Sequence, residues 1–328
     1  MPEGAAVEPA TEPFALSAPY DPPELDASLL AMSGLEQLRA SIRGETRPAP
    51  ISELLGMRPI EADEGSAAFA MPVSGWLAGE GGRPQAGVLA PLADAAHAAA
   101  VVTTLPPGNA LTTLCLTLSY AGALDDRAEE VVCRARCDRG GAGELPSHSS
   151  AEVTDDRGTV LARSTARCAV FPLPGVPAAD GIAGDRTGRP APRGAAAVPA
   201  AGPDASGDPP IRELTGLRAL EAGDGDARFE LPATIWVASL LRQVQGGALA
   251  LLAEAALDGA VASALPAPGA RETVELRVDF LRRAPAGEGP LQADATLTQR
   301  GRNFAFGSCT VSSADRGRVA AATSVHRY

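Results

Sequence analysis

The chain has 328 residues and a formal net charge of −12. That surplus of acid argues against a nucleic acid or an anionic membrane as main partner. All 28 basic residues are arginine, which excludes Schiff-base lysine chemistry and a P-loop lysine.

Taken in chain order, residues 1–27 are rich in Pro, Ala and Glu and read as a disordered tail. Residues 28–44 carry Leu30, Leu35, Leu38 and Ile42 at helical spacing, which predicts a lead-in helix. The next stretch is written twice. Residues 51–120 align with 211–280 at a constant offset of 160, without a gap, and 28 of those 70 positions are identical. Self-similarity over so long a unit indicates two domain-sized repeats rather than a solenoid. In each repeat two strand-like runs flank a tight turn, at 54–62 and 66–72, then at 214–222 and 226–232. A long apolar segment follows, at 86–105 and 246–265, long enough for a helix. It is apolar nearly all round, so it must be covered on every side. Three or four strands come next, 159–171 and 271–281 among them. The pattern predicts a β-β-α-β-β-β unit of α+β class, one antiparallel sheet curled around one helix. Residues 172–208, mostly Pro, Ala, Gly and Asp, read as an extended linker. The expected domains are 28–171 and 209–328, fused as a dimer on one chain with the ligand site between the halves.

Each repeat places one acid in its apolar helix, Asp94 and Glu254, at the same register. A buried ionised carboxylate is costly unless it gains something, so the duplicated acid points to function. Asp258 stands four residues after Glu254 and would raise its pKa if both were buried. His97, three residues after Asp94, reads as a packed core histidine, with partnership to Asp94 as the alternative. Five cysteines without a CxxC read as small buried hydrophobes. The three histidines lie far apart, so no metal-ligand cluster is expected. The N-terminus has no cationic leader and the apolar runs are broken by acids and Pro, so a cytoplasmic location is expected. Serine-hydrolase GxSxG and dinucleotide-binding GxGxxG patterns are both missing from the sequence.

The repeats carry Gln85-Ala86-Gly87, Asp94 and Thr113 through Tyr120, then Gln245-Gly246-Gly247, Glu254 and Thr273 through Phe280. With this pattern each repeat resembles a hotdog-fold domain of the PaaI-like acyl-CoA thioesterases, here in tandem. Gln stands where that family usually has His. The resemblance implies two hotdog domains, each a long central helix wrapped by an antiparallel sheet, packed as an intramolecular pseudo-dimer, alone or further homodimerised. It implies hydrolysis of an acyl-CoA or acyl-carrier thioester without metal or organic cofactor. Asp94 and Glu254 would act as nucleophile or general base, and the amides of Gly246 and Ala86 would face the thioester oxygen. Thr113 and Thr273 would position water, and Gln85 and Gln245 would brace the turn or reach the carbonyl. Arg282, Arg283, Arg300, Arg302 and Arg139 stand at turns where similar thioesterases meet the CoA nucleotide. The expectation groups Glu254 with Gly246, Gly247 and the arginines, and so ranks Glu254 above Asp94. Two other functions stay open: a binding protein that has lost its chemistry, and a hotdog lyase acting on a carrier-bound acyl chain.

Overall fold

The structure is a computed structural model that describes residues 29, 31–80, 82–125, 127–140, 146–173, 209–265 and 271–328. The expected tail, Leu30 of the expected lead-in stripe and nearly all of the expected linker lie outside the described residues.

The lead-in helix α1 spans Gly34–Ile42, shorter than the expected 28–44. Ser33 and Glu36 cap each other's backbone N–H groups in a reciprocal box, which fixes the helix start. The runs expected to open as strands at 54 and 214 open as helices instead. Helix α2, Pro50–Leu55, has Pro at its start and Gly56 at φ 68° beyond its end. The same punctuation sets the counterpart α4, Pro210–Thr215, with Gly216 at φ 75°. Proline is pre-shaped for a first helical turn, and glycine takes the left-handed conformation that ends a helix. The strands β1 (Arg58–Asp63) and β2 (Ser66–Pro72) follow, as do β7 (Arg218–Gly223) and β8 (Asp226–Leu231).

The first central helix, α3, runs Leu89–Val102 and is preceded by a 3-10 turn at Ala86–Val88. The expected helix from 86 is thus delayed: Pro91 sits in the first turn of α3, where its missing N–H costs nothing. Its counterpart α5 runs unbroken over Gly246–Ala264. Helix α5 is long and apolar enough to cross a membrane by length and composition alone, but most of it is packed inside the molecule.

Four strands follow each central helix among the described residues, within the expected three or four and one more than a β-β-α-β-β-β unit. They are β3 (Asn109–Tyr120), β4 (Glu130–Arg139), β5 (Ser147–Asp155) and β6 (Val160–Pro172), then β9 (Glu272–Phe280), β10 (Leu291–Arg300), β11 (Phe304–Ser313) and β12 (Gly317–Arg327). The twelve strands of the described residues join one antiparallel sheet in the order β1-β2-β4-β5-β6-β3-β9-β12-β11-β10-β8-β7. The order reads the same from either end, repeat for repeat. Its centre is the β3–β9 ladder, with Cys115 opposite Asp279, Thr117 opposite Arg277 and Ser119 opposite Glu275.

Helix α3 packs on β2, β4 and β5, helix α5 on β8, β10 and β11, and the two helices pack on each other. Their approach depends on Gly247, where an added Cβ would lie 2.3 Å from Pro91 Cα. Backbone atoms cannot yield as a flexible side chain can. Gly247→Ala should therefore destabilise the fold by about 1–3 kcal/mol, read as a lower denaturant midpoint. An unchanged midpoint would mean that the helices can separate freely.

Cross-connections tie the repeats further. Ile51 N–H donates to Ala238 O, and Ile211 N–H donates to Ala78 O. His97 belongs to the core and not to Asp94: its ring nitrogens lie 2.8 Å from Ser149 Oγ and 2.8 Å from Ser164 Oγ. Burial pushes its pKa down to about 3, so the ring is neutral at ordinary pH.

Candidate active site

The packing of α3 against α5 brings together two buried carboxylate sites, called chambers below, each drawing on both repeats. Asp94 is only 5% exposed and Glu254 only 1%. In the first chamber Thr113 donates to Asp94 Oδ1 at 2.8 Å and the Gly247 amide donates to Asp94 Oδ2 at 3.0 Å. The Gly246 amide supports the same carboxylate. In the second chamber Thr273 donates to Glu254 Oε1 at 2.7 Å, and Gln85 Nε2 donates to Glu254 Oε2 at 2.6 Å. The Gly87 amide is its backbone donor.

The Gly246-Gly247 turn therefore faces Asp94, and the Gln85-Ala86-Gly87 turn faces Glu254. This corrects the expectation that Glu254 shares a chamber with Gly246 and Gly247. The physical reason is that the two helices cross at their N-terminal ends, so each turn points at the partner helix. Threonine spacing survives the crossing, because each Thr lies nineteen residues after its own acid on the strand beneath that helix.

The two glutamines are placed differently. Gln85 reaches the carboxylate of Glu254, whose side chain is one methylene longer than that of Asp94. Gln245 turns its Nε2 to Pro91 O at 3.1 Å, which leaves its buried Oε1 without a partner among the described residues. Gln245 thus braces the meeting of the two helix starts and keeps free acceptor capacity on Oε1.

Burial raises the pKa of both acids. For Asp94 the opposing influences are the Thr113 hydroxyl and the amides of Gly247 and Gly246. For Glu254 burial comes first and the charge of Asp258 second, and the pKa is pushed up to about 7. Asp258 is held by a two-pronged ion pair with Arg271, at 2.7 Å on each oxygen. Arg271 also faces Glu80 at 3.7 Å, and Glu80 pairs with Arg212 at 2.7 Å. His326 sits beside this network, with Nδ1 3.4 Å from Thr273 Oγ1 and Nε2 2.8 Å from Ser324 Oγ. Its pKa is lowered to about 4, mainly by burial.

Sequence reasoning named Asp258 but missed Glu80, Arg212, Arg271 and His326. The offset of 160 held part of the signal: the counterparts of Glu80, Arg212, Arg271 and Asp258 are Leu240, Ser52, Leu111 and Ala98, and His326, beyond the gapless stretch, stands opposite Thr273 where Cys168 stands opposite Thr113. Every ionisable group of the network is private to the Glu254 chamber.

A stability effect follows from the Glu254 shift. Its pKa is about 7 folded against a model-peptide value of about 4.3. The unfolded chain gives up that proton first, so this group's contribution falls as pH rises from about 4.3 to about 7. Glu254→Gln should remove the effect: the variant gains stability relative to the parent across that window, by up to a few kcal/mol. Parallel denaturant curves at pH 4.5 and pH 7.5 measure it, and a constant difference would place the folded pKa near its ordinary value.

The predicted arginines divide. Arg283 lies over the Phe171 ring at 4.9 Å, and Phe171 stands opposite Ala110 on the strand that carries Thr113. Arg282 donates to Arg316 O at 2.5 Å. Both arginines are exposed and follow Phe280, whose ring carbon Cζ would lie 3.0 Å from a Cβ on Gly246. Arg283 thus lies over the strand pair that carries Thr113, and Arg282 is turned to the β11–β12 turn. Arg300 instead donates to Ala264 O at 3.2 Å and lies over the Tyr328 ring at 5.9 Å. It sits at the C-terminal end of α5, ten residues beyond Glu254, about 15 Å along the helix, where a cation suits the helix dipole. Arg302 is exposed in the turn between β10 and β11. The backbone of Arg139 pairs with His148 in β5.

Residues 244–320 match the model of the thioesterase superfamily. No curated protein matches the chain. Solved structures do. A thioesterase of Novosphingobium aromaticivorans, titled as putative, is 15% identical with a TM-score of 0.52, over 82% of this chain and 97% of that one. A protein of Alicyclobacillus acidocaldarius, titled as a hot dog fold of unknown function, is 19% identical with a TM-score of 0.55, over 84% and 97%. The acyl-CoA thioesterase II TesB2 of Mycobacterium marinum is 16% identical with a TM-score of 0.51, over 84% and 96%. The fold is therefore the hotdog fold. The chain resembles the hotdog thioesterases, and its second repeat carries the match to their superfamily.

Proposed function

We propose that the protein is an acyl-CoA thioesterase built from two hotdog domains, 28–171 and 209–328, packed as an intramolecular pseudo-dimer. The observation that carries this reading is the crossed pairing of a buried carboxylate on one central helix with the N-terminal amides of the other. The superfamily match at 244–320 supports the reaction class.

Hydrolysis needs a base or nucleophile, and fixed donors where negative charge develops. We assign Asp94 as the working acid. Its chamber has glycine at both turn positions, so a thioester can approach the backbone closely. In the water route, water attacks the carbonyl carbon and gives its proton to Asp94. The Gly246 N–H, which supports the Asp94 carboxylate in the free protein, turns to the oxyanion as Asp94 takes up the proton. The C–S bond then breaks, and the leaving thiolate takes the proton back from Asp94, yielding acid and free thiol. Gln245 Oε1, the unpartnered acceptor, suits the second hydrogen of that water. Arg283 on Phe171 and the neighbouring Arg282 suit the phosphates of CoA, which arginine grips through paired N–H groups.

The test is thiol release over short, long and aryl acyl-CoAs. Turnover of at least one, lowered on the order of 10²-fold in Asp94→Asn, supports the reading. No turnover across the panel, with acyl-CoA binding retained, would replace it with a binding protein.

A further inference from the structure

The two central strands trade aromatic residues between chambers. Strand β9 gives Thr273 to Glu254 and ends in Phe280, whose ring lies against Gly246 beside Asp94. Strand β3 gives Thr113 to Asp94 and ends in Tyr120, the counterpart of Phe280. The β3–β9 register pairs Ser119 with Glu275, which brings Tyr120 to the Thr273 end of β9, beside Glu254. The phenol oxygen of Tyr120 is buried and has no hydrogen-bond partner among the described residues. Burial, and secondarily the charge of Glu254, push its pKa well above the ordinary tyrosine value, so it remains a donor.

A buried hydroxyl without a partner is destabilising, and phenylalanine would avoid that at no loss of ring packing. The other repeat does place phenylalanine there. The Glu254 chamber also differs in its turn, where Ala86 replaces Gly246. Ala86 carries a methyl group where Gly246 has none, and in the Asp94 chamber a methyl at that position would lie 3.0 Å from both Asp94 Oδ2 and Phe280 Cζ. A side-chain donor opposite the carboxylate would offset such crowding at the turn.

We propose that the Tyr120 hydroxyl is the ligand-facing donor of the Glu254 chamber, hydrogen-bonded to the carbonyl oxygen of a bound acyl thioester where the Asp94 chamber uses a glycine amide. The ligand class rests on the thioesterase reading; the hydroxyl's orientation toward a ligand does not. The two chambers then hold the same carbonyl by different means, a backbone amide in one and a phenol in the other.

Tyr120→Phe tests this in the full chain, with two acyl-CoA analogues that cannot be hydrolysed. In one, a methylene replaces the thioester sulfur and the carbonyl is kept. In the other, a thioether, the carbonyl is missing. The free variant should melt at the parent's temperature or slightly above, because the hydroxyl has no protein partner. Its thermal shift with the carbonyl analogue should shrink, and its shift with the thioether should match the parent's. In an Asp94→Asn background the same change should lower the remaining kcat by about tenfold, the scale of one lost neutral hydrogen bond. A lower melting point for free Tyr120→Phe would show a structural role and overturn the proposal. Equal shifts for parent and variant with the carbonyl analogue would overturn it too. If no thioester is hydrolysed but the carbonyl-dependent shift still needs Tyr120, the contact stands and the thioesterase reading falls.

Discussion

Asp94→Asn should lower kcat for thioester hydrolysis by on the order of 10²-fold or more, as expected when a catalytic base is lost, with KM little changed. Glu254→Gln should have the smaller effect. Asp94 stands before two glycine amides. Both acids are held by two donors, Asp94 by Thr113 and the Gly247 amide, Glu254 by Thr273 and the Gln85 side chain. With a pKa of about 7 Glu254 is only about half ionised at neutral pH. Both amide variants keep the shape of the acid and should fold. Steady-state kinetics on the two decides the order. An inactive Glu254→Gln beside a near-normal Asp94→Asn would reverse the assignment, and two near-normal variants would remove carboxylate catalysis altogether.

Gly246→Ala should lower kcat by about tenfold on its own, because the new Cβ lies 3.0 Å from Asp94 Oδ2 and from Phe280 Cζ, displacing groups whose placement the reaction needs. The informative result is its coupling. Combined with Asp94→Asn, the loss should be close to that of Asp94→Asn alone, since both changes strike one chamber. Combined with Glu254→Gln, the residual rate should be that of the impaired Asp94 chamber alone, since separate chambers contribute rates that add. Coupling to Glu254 and independence from Asp94 would contradict the crossed arrangement. That outcome is a fair challenge, because Gly246 and Glu254 share a helix and lie only eight residues apart.

Much of the fold is legible in the sequence because burial leaves periodic marks. The two apolar helices, the strand-like runs around them and the gapless repeat all report which side chains must leave water. The boundaries are less legible. Pro50 and Gly56, like Pro210 and Gly216, frame helices of only six residues, too short to show a period. The delayed start of α3 follows from Pro91, which the sequence displays without saying which turn of the helix it occupies.

The site divides along the same line. By itself the sequence determined the acids, their threonines and the amide turns, since a lone carboxylate in an apolar helix and its repetition at one register are local facts. Only the tertiary structure decided which turn serves which acid. The arrangement within a repeat puts Glu254 next to Gly246 along the chain. The packing of Gly247 against Pro91 instead brings each helix start to the other helix's acid. Likewise Tyr120 is an ordinary strand residue until the β3–β9 ladder carries it across to Glu254. Neighbours along the chain are fixed by covalent spacing, but partners across a helix crossing or a sheet centre are fixed by packing, which no one-dimensional pattern records.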